Sequence, residues 1–302
     1  MAQAAAQLTE RYTAGDFSAP AILNDAQRAA YLAVRFPATY AVDRRVFSEL
    51  KLRAPEAQIT TLLDLGAGPG TALFAAAEIF PRLERATLIE ADEQWIKLGK
   101  NLARLSGLNP DVQWSRGDLR SGFSCDQHDA VVISYVLGEL APAAAEAVVR
   151  QAWRCAAKFL VIVEPGTPRG FSMIEAARST LISSGAEIVA PCPHKLRCPM
   201  AIRNDWCHFS QRLERTAEHR QLKGGELGYE DEKFSYVIAA REAVAFGGAR
   251  VVRHPGRHSG HIELTLCAQP GQIERKTVTR SRKEAFRAAR KAEWGEIWNG
   301  GI

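Results

Sequence analysis

Short apolar runs alternate with amphipathic stretches through the middle of the chain. From Ile59 the runs are ITTLLDL, ATLIEA, VQWSRGDL, AVVISYVL and FLVIVEPG, with segments of helical periodicity between most of them. Alternation of this kind predicts βαβ units, in which parallel strands form a sheet with helices on both faces. Two more β-like runs, at 234–240 and 261–268, have no long helix between them. The pattern predicts an α/β fold.

A glycine-rich turn follows the first run, within LLDLGAGPGTALFAAA at 62–77. Gly66, Gly68 and Gly70 leave a backbone that can turn tightly and admit a ligand to the start of the next helix. The G-x-G-x-G spacing differs from the G-x-G-x-x-G of dinucleotide-binding proteins, which disfavours NAD. The alternative interpretation is a plain glycine turn in an α/β sheet.

This turn resembles motif I of the class I S-adenosylmethionine methyltransferases, with Asp64 before the loop. The resemblance implies that the loop surrounds the methionine end of S-adenosylmethionine and that Glu90, closing the second strand, binds the ribose hydroxyls. Asp118, after the third strand, would face the adenine, and Ser134 would complete the site at the end of the fourth strand. In that fold the runs at 234–240 and 261–268 would be the sixth and seventh strands of a Rossmann-like, mostly parallel sheet, the last strand being antiparallel.

Changes of pattern divide the chain into predicted regions. An N-terminal part contains helices expected to break near Pro37, a Cys-rich segment interrupts the sheet, and a basic tail can end in a helix over 283–298. The regions are a helical region at 1–58, a methyltransferase-like domain at 59–190 and 234–268, a metal-binding insertion at 191–233, and a basic tail at 269–302.

Basic residues are concentrated in the C-terminal third. Residues 191–302 contain 20 Lys and Arg against 13 Asp and Glu, although the net charge of the chain is only +5. The asymmetry predicts a polyanionic partner, and the alternative is an ordinary solvated surface.

No targeting or membrane segment is evident. The first residues lack the pattern of a secretory signal or an Arg-rich transit peptide, and no run reaches the roughly 18 apolar residues that span a bilayer. We therefore expect a cytoplasmic protein without a membrane partner.

The six cysteines fall into two groups. Cys125 and Cys155 are most simply small buried apolar residues. The other four are expected to converge, because the sixth and seventh strands of the predicted fold pair and would return the last cysteine to the insertion. A cytosolic protein disfavours disulfides, so such a cluster predicts a metal site. The four are Cys192, Cys198, Cys207 and Cys267.

The spacing does not decide the metal. C-x5-C-x8-C followed by a distant cysteine is not the paired C-x2-C of a zinc ribbon, and four thiolates suit zinc and iron–sulfur clusters equally. His194 and His208 could replace a thiolate in a zinc site or be ordinary histidines.

Several strings in the C-terminal half resemble a known family. They are CPHKLRCP, DWCHFSQRLERTAEHRQLKGGELGYEDEKFSYV, RHSGHIELTLC and RAARKAEWGEIW. They are similar to the bacterial and mitochondrial small-ribosomal-subunit assembly family that includes methyltransferase-like protein seventeen, over about Tyr31 to Trp298. The resemblance implies a class I methyltransferase fold, association with the small subunit during its maturation, and a 4Fe-4S cluster on Cys192, Cys198, Cys207 and Cys267.

The same resemblance implies that the polyanionic partner is ribosomal RNA. We expect a monomer off the ribosome. Lys and Arg would contact phosphates, and aromatic side chains could stack on exposed bases. The expected surface is the basic tail together with Arg212, Arg215, Arg220 and Lys223.

Two function classes are compatible with the sequence. One is an S-adenosylmethionine-dependent rRNA methyltransferase, and the other is a non-catalytic assembly factor or RNA-binding protein with a structural metal site. A zinc-containing small-molecule methyltransferase is a third, weaker interpretation. No catalytic residue can be assigned, because Ser134, Tyr135 and Glu139 do not form the Asn/Asp-Pro-Pro-aromatic motif of many amino-methylating enzymes.

Overall fold

The computed structural model describes Gln3, residues 24–215 and residues 228–300. A long helix, α1 (Asp25–Arg53), lies at the start of the 24–215 range. Asn24 caps the helix by accepting a hydrogen bond from the Gln27 amide at 2.9 Å. Pro37 lies inside the helix, so the expected break there is wrong. An internal proline costs about 3 kcal/mol, and the buried face of the helix offsets this cost by packing on the helix Thr71–Ile79.

The predicted alternation of strands and helices follows. The elements are β1 (Thr61–Leu65), α2 (Thr71–Ile79), β2 (Arg85–Glu90), α3 (Glu93–Ser106), β3 (Asp111–Arg116), β4 (His128–Ser134), α4 (Pro142–Cys155), β5 (Ala156–Pro165), α5 (Pro168–Ser183), β6 (Glu187–Ala190), α6 (Pro199–Ile202), β7 (Phe209–Glu214) and β8 (Tyr229–Ala240). Single 3-10 turns lie at Leu119–Ser121 and Leu137–Glu139.

The central sheet has the order β3-β2-β1-β4-β5-β8-β6, with β7 also paired to β8. Strands β1 to β5 are parallel, and β8 runs antiparallel between β5 and β6. Apolar side chains cover both faces of the sheet, one face packing on α1 and α2 and the other on α4 and α5. This topology confirms the predicted fold class, a class I methyltransferase fold with a mostly parallel sheet.

Two strand assignments made from the sequence are wrong. The sixth strand is the four-residue β6, which the pattern did not reveal, and the run at 234–240 belongs to β8, the antiparallel seventh strand. The run at 261–268 lies in a different sheet altogether. A four-residue strand followed at once by prolines and cysteines gives too short an alternation to be recognised.

A second, five-stranded sheet contains the C-terminal segment. Its elements are β9 (Ala249–Val251), β10 (Gly256–Arg257), β11 (His261–Ala268), β12 (Gln272–Thr279), the helix α7 (Lys283–Lys291) and β13 (Ile297–Trp298). Phe286 and Trp298 anchor its small apolar core. The expected helix over 283–298 ends at Lys291, because the chain then extends to pair β13 with β9.

The Cys-rich segment lies at the junction of the two sheets. Strands β6 and β7 both pair with the edge of β8 that faces away from β5, and they lie end to end along it. The chain between them therefore leaves and rejoins the central sheet at neighbouring points. No helix in the described part of the chain is long and apolar enough to cross a bilayer.

Candidate cofactor cleft and metal centre

The glycine loop after β1 has the left-handed backbone that its sequence predicts. Gly66, Gly68 and Gly70 have φ angles of 73°, 54° and 86°, where residues with a Cβ are strained. A Cβ at Gly66 would lie 2.6 Å from Val136 Cγ2, whereas a Cβ at Gly68 would have no heavy atom within 4 Å. Gly66 thus faces protein, and Gly68 faces open space at the start of α2.

Glu90, at the end of β2, is bound to the loop itself. One carboxylate oxygen accepts a hydrogen bond from the Gly68 amide and the other accepts one from the Asp92 amide, both at 2.8 Å. Burial raises the pKa of Glu90, and these amide hydrogen bonds oppose the increase. A carboxylate has further lone pairs, so Glu90 can still accept hydrogen bonds from ribose hydroxyls.

Asp118 is half-buried and is paired with a neighbouring arginine. Its carboxylate accepts hydrogen bonds from the Arg120 guanidinium at 2.7 to 3.0 Å and caps the 3-10 turn through the Arg120 amide. The hydrogen bonds from Arg120 hold the pKa of Asp118 below its usual value. Its assignment to the adenine stays a prediction, and Arg120 would have to share that carboxylate with the ligand.

Two buried carboxyl groups lie beside the loop, one predicted and one not. Asp64 is 2% exposed and Asp43, from α1, is 1% exposed. Each has one buried oxygen without a hydrogen-bond partner among the described residues. Burial raises the pKa of Asp43 to about 7, and burial followed by the charges of Asp43 and Glu90 raises that of Asp64 well above its usual value. A cation placed between these carboxyls would remove the cost of burying them.

Ser134 contacts α1. Its hydroxyl donates a hydrogen bond to Asp43 Oδ1 at 2.7 Å. The next residue, Tyr135, has a positive φ of 60° and a buried hydroxyl without a partner among the described residues. The guanidinium of Arg35 lies 5.8 Å from the centre of the Tyr135 ring and pairs with both oxygens of Glu232. The end of β4 therefore contacts α1 directly and lies beside the ion pair between α1 and β8.

The first turns of α1 reach the far side of the cleft. Arg28 pairs with Asp92 at 2.8 Å, and the Tyr31 ring packs on Trp95 with 5.0 Å between ring centres. Because α1 also touches Ser134, it extends across the carboxyl ends of β2 and β4, where ligands bind in open α/β sheets. The helix forms one wall of the cleft.

The four cysteines outside the cofactor domain surround one cavity. Cys192 follows β6 and Cys207 precedes β7, so the pairing of both strands with β8 brings these two together. Cys198 caps the short α6, and Cys267 comes from β11 of the second sheet. All four line a cavity that also touches Arg178 and Arg250, and none of them forms a disulfide. The expected approach of Cys267 occurs, although through the second sheet and not through a sixth and seventh strand.

Burial and the closeness of the sulfurs to one another disfavour ionisation of these cysteines to thiolates. Burial, followed by the neighbouring sulfurs, raises the pKa of Cys207 well above its usual value and also raises the pKa of Cys267. The pKa of Cys192 is raised as well, by burial first. Thiolates at this place need a cationic partner, which a metal centre supplies.

Two buried arginines position the cysteine-bearing loop. Arg178 donates to the carbonyls of His194 and Leu196 at 2.7 and 3.0 Å. Arg250, 1% exposed, donates to the carbonyls of Pro191 and Gly295 and pairs with Glu49 of α1 at 2.7 Å. Arg250 therefore connects α1, the Cys-rich loop and the second sheet. No local motif marks either arginine in the sequence, because their partners are distant.

The sulfur spacing is wider than that of a compact mononuclear site. A tetrahedral zinc with Zn–S bonds of about 2.3 Å places its sulfurs about 3.8 Å apart. Among the described residues, one group of three or more His, Cys, Asp and Glu side chains has all its ligand atoms within 4.8 Å of one another. This group lies on the hairpin of β10 and β11 and contains no cysteine. No three of the four sulfurs are therefore mutually within that distance.

The two histidines considered as ligands differ in position. His194 Nε2 lies 3.5 Å from Cys267 Sγ, at the edge of the cavity. His208 stacks on Trp206 with 5.3 Å between ring centres and meets Trp294 edge-on, so it is a packed aromatic residue.

Cys125 and Cys155 are joined by a disulfide, and the expectation that both are free apolar residues is wrong. The bond ties the loop after β3 to the last residue of α4. The two residues are 30 positions apart, so no local pattern indicates their pairing.

Two of the four basic residues predicted beside the tail to contact RNA form ion pairs within the protein. Arg212 is bound to Asp231 and lies over Tyr229, and Arg215 pairs with Glu230. Arg220 and Lys223 lie outside the described residues. The basic side chains of the tail are mostly exposed and form no ion pair within 4.0 Å in the described parts of the chain; they are Arg275, Lys276, Arg280, Arg282, Lys283, Arg287, Arg290 and Lys291.

The sequence model of the family described as "Mitochondrial small ribosomal subunit Rsm22" matches residues 25–299. The chain belongs to this family. The match covers the cofactor cleft, all four cysteines and the second sheet, and it confirms the family resemblance stated above.

Similarity to curated proteins supports this family assignment. The chain is 31% identical over 288 residues to "Ribosome assembly protein METTL17, mitochondrial" of Homo sapiens, covering 88% of this chain and 61% of that protein. It is 26% identical over 328 residues to "Rsm22-cox11 tandem protein 2, mitochondrial" of Schizosaccharomyces pombe, covering 91% and 43%. The chain thus spans less than two thirds of the length of these relatives.

Solved structures with a similar fold include magnesium protoporphyrin IX methyltransferase from Synechocystis PCC 6803 with bound SAH, at a TM-score of 0.46 and 11% identity over 78% of this chain and 94% of that one. The [4+2]-cyclase SpnF has a TM-score of 0.42 at 17% identity over 66% and 81%. These values describe likeness of fold alone.

The expected cytoplasmic location is contradicted. The Rsm22 family is described as mitochondrial, and the human and fission yeast relatives are named as mitochondrial proteins. This finding favours a mitochondrial over a cytoplasmic location. The expectation rested on the first residues of a chain that spans only part of its relatives, and such residues carry little information on location.

Proposed function

We propose that this chain is an S-adenosylmethionine-binding assembly factor of the small ribosomal subunit, and that its four converging cysteines hold a 4Fe-4S cluster. The observation that carries the proposal is the match of residues 25–299 to a family described by the mitochondrial small ribosomal subunit. The human relative is itself named a ribosome assembly protein.

The sulfur spacing supports a cluster over a single zinc ion. In a 4Fe-4S cluster each cysteine binds a different iron, so the four sulfurs stand farther apart than around one ion. The cysteines here are too widely spaced for three of them to lie within 4.8 Å of one another. The buried Arg178 and Arg250 place positive charge beside the cavity, which suits a centre with four thiolate ligands. The cluster would join the Cys-rich loop to the second sheet.

The polar groups around the glycine loop support S-adenosylmethionine as the ligand. This cofactor carries an ammonium group and a sulfonium, and the paired buried carboxyls of Asp43 and Asp64 favour a cation. Glu90 retains acceptor capacity for ribose hydroxyls. The open side of Gly68 leaves room for the ligand at the start of α2. When bound, the cofactor would also bury these groups more completely and stiffen the contact between α1 and the sheet.

The exposed basic tail supports ribosomal RNA as the partner. Phosphates attract Lys and Arg that have no competing carboxylate, and the tail provides a row of them on β12 and α7. The protein would act as a monomer before it joins the subunit.

Assembly without methyl transfer is favoured by the contacts at the end of β4. Arg35, paired with Glu232, lies beside the Tyr135 ring at this strand end, where ligands bind in open α/β sheets. An rRNA methyltransferase is the second candidate, favoured by the intact glycine loop.

Sedimentation of the purified protein with immature small subunits and labelled S-adenosylmethionine tests the proposal. The expected result is co-sedimentation of protein and bound cofactor without incorporation of methyl label into rRNA. Incorporation of label would replace the assembly role with the enzymatic one. Failure of the protein to bind subunits at any salt concentration would contradict both.

A further inference from the structure

Three potential metal ligands converge on the hairpin of β10 and β11, away from the cysteines. His258 Nε2 lies 3.9 Å from one carboxylate oxygen of Glu263, and His261 Nε2 lies 3.6 Å from the other. The two imidazole rings are stacked, with centres 4.4 Å apart and an angle of 17°. One nitrogen from each ring and one carboxylate oxygen all lie within 4.8 Å of one another.

The hairpin fixes this arrangement through its register. Arg257 pairs with Ile262, and the His258 amide donates to the His261 carbonyl at 3.0 Å, so the two histidines face each other across a two-residue turn. His261 and Glu263 are two positions apart on one strand and so share a face. Gly256 lies opposite Glu263.

The glycine opposite Glu263 leaves room for the carboxylate. A Cβ at Gly256 would lie 3.4 Å from His258 Nε2 and 3.5 Å from Glu263 Oε2. Because Gly256 has no Cβ, the side chains of His258 and Glu263 can both approach its backbone. The nearby Arg257 forms an ion pair with Glu293 and not with Glu263, with 2.7 Å between Arg257 Nη2 and Glu293 Oε1.

We infer that His258, His261 and Glu263 form a surface site for a divalent transition-metal ion of the Zn²⁺ class. Two imidazoles and one carboxylate are ligands typical of zinc, with bonds of about 2.0 to 2.2 Å, which place tetrahedral donors about 3.4 Å apart. The separations of 3.6 and 3.9 Å go to the two different oxygens of Glu263, and the stacked rings are within 17° of parallel. Because an imidazole nitrogen binds a metal in the plane of its ring, one ring would turn out of the stack so that both nitrogens face the same ion. Three protein ligands leave a coordination position for water or for an oxygen of a phosphate.

Calorimetric titration of Zn²⁺ into the full chain, purified with its cysteine centre filled, tests this site. The expected result is one equivalent of bound Zn²⁺, with affinity lowered more than about tenfold by His261→Ala or His258→Ala. Gly256→Val, which crowds the ligands without removing one, should also weaken binding. His254→Ala serves as the matched control, since His254 is another exposed histidine of the second sheet outside the trio and should leave the affinity unchanged.

Titration with Co²⁺ separates this site from the cysteines. Co²⁺ bound by nitrogen and oxygen shows weak visible bands, whereas cysteine-bound Co²⁺ adds strong thiolate charge-transfer absorption in the near ultraviolet. Weak bands that His261→Ala removes, with its melting curve unchanged, would support the inference. No Zn²⁺ binding by the unmodified chain, or equal binding by the unmodified chain and His261→Ala, would overturn it.

Discussion

Ser134 donates a hydrogen bond of 2.7 Å to Asp43, which joins the end of β4 to the middle of α1 across 91 positions of sequence. Burial raises the pKa of Asp43 to about 7. The folded protein therefore holds a proton that the unfolded chain releases near pH 4. Stability falls as the pH rises from about 4 to about 7, because ionisation of Asp43 is easier in the unfolded chain.

We expect Asp43→Asn to remove this contribution while keeping an acceptor for Ser134. The free energy of unfolding of the variant, relative to the original protein, should increase by up to about 4 kcal/mol between pH 4 and pH 7. Urea unfolding without cofactor at several pH values in this range measures the change.

Asp129→Asn is the control for this experiment. Asp129 is partly buried, yet hydrogen bonds from Lys158 and Thr60 hold its pKa below the usual value. Its stabilising effect is complete above the unfolded pKa, so the variant should be destabilised by a constant amount from about pH 5 to 7. A constant difference for Asp43→Asn as well would show that Asp43 ionises normally.

Gly68→Asp should abolish binding of S-adenosylmethionine and leave the fold intact. Its side chain would enter the open space at the loop and add a negative charge beside Glu90. Gly107→Asp is a matched control, because Gly107 also has a positive φ, at the end of α3, and has no neighbour within 4 Å of a Cβ. Calorimetry with S-adenosylmethionine should show at least about tenfold weaker binding for the first variant alone. Equal binding by both variants would place the ligand elsewhere.

Local patterns in the sequence predicted the backbone of the glycine loop and the strands on either side of it. The G-x-G-x-G loop, Asp64 and Glu90 belong to one βαβ unit, where neighbouring residues determine the structure. The four cysteines were also recognised as a group, although the structure assembles them through β8 and the second sheet.

Features that depend on distant partners were not predictable. Asp43 and Arg250 are buried polar residues whose partners lie 91 and 201 positions away, and neither residue belongs to a motif. Pro37 predicted the end of a helix, but the packing of α1 offsets the free-energy cost of an internal proline. The alternation of apolar and polar residues at 261–268 fits a strand of either sheet. Its place in the second sheet depends on tertiary packing, which the local sequence does not reveal.

Arg250→Met should destabilise the protein by about 3 kcal/mol or more, because it leaves Glu49 and two buried carbonyls short of a donor. Arg257→Met is the matched control, since the Arg257–Glu293 pair is exposed and should contribute less than about 1 kcal/mol. Chemical unfolding compares the two. Similar losses in both variants would mean that Arg250 does not connect α1 to the second sheet.

Cys198→Ser should lower the iron content and the melting temperature together, because a metal centre that joins two segments contributes to their folding. The paired replacement Cys125→Ser with Cys155→Ser, which removes a disulfide outside the lining of the cavity, should leave the iron content unchanged. Iron analysis and thermal melting of anaerobically purified protein give both readings. Unchanged iron and melting in Cys198→Ser would exclude Cys198 as a ligand.

Anaerobic purification of the full chain, followed by iron, sulfide and zinc analysis with an absorbance spectrum, tests the central claim most directly. The account predicts a brown protein with near-equal amounts of iron and sulfide, about four of each per chain, as a 4Fe-4S cluster requires. A colourless protein that contains zinc and no sulfide would contradict it, because the four cysteines would then bind a single ion in place of the proposed cluster.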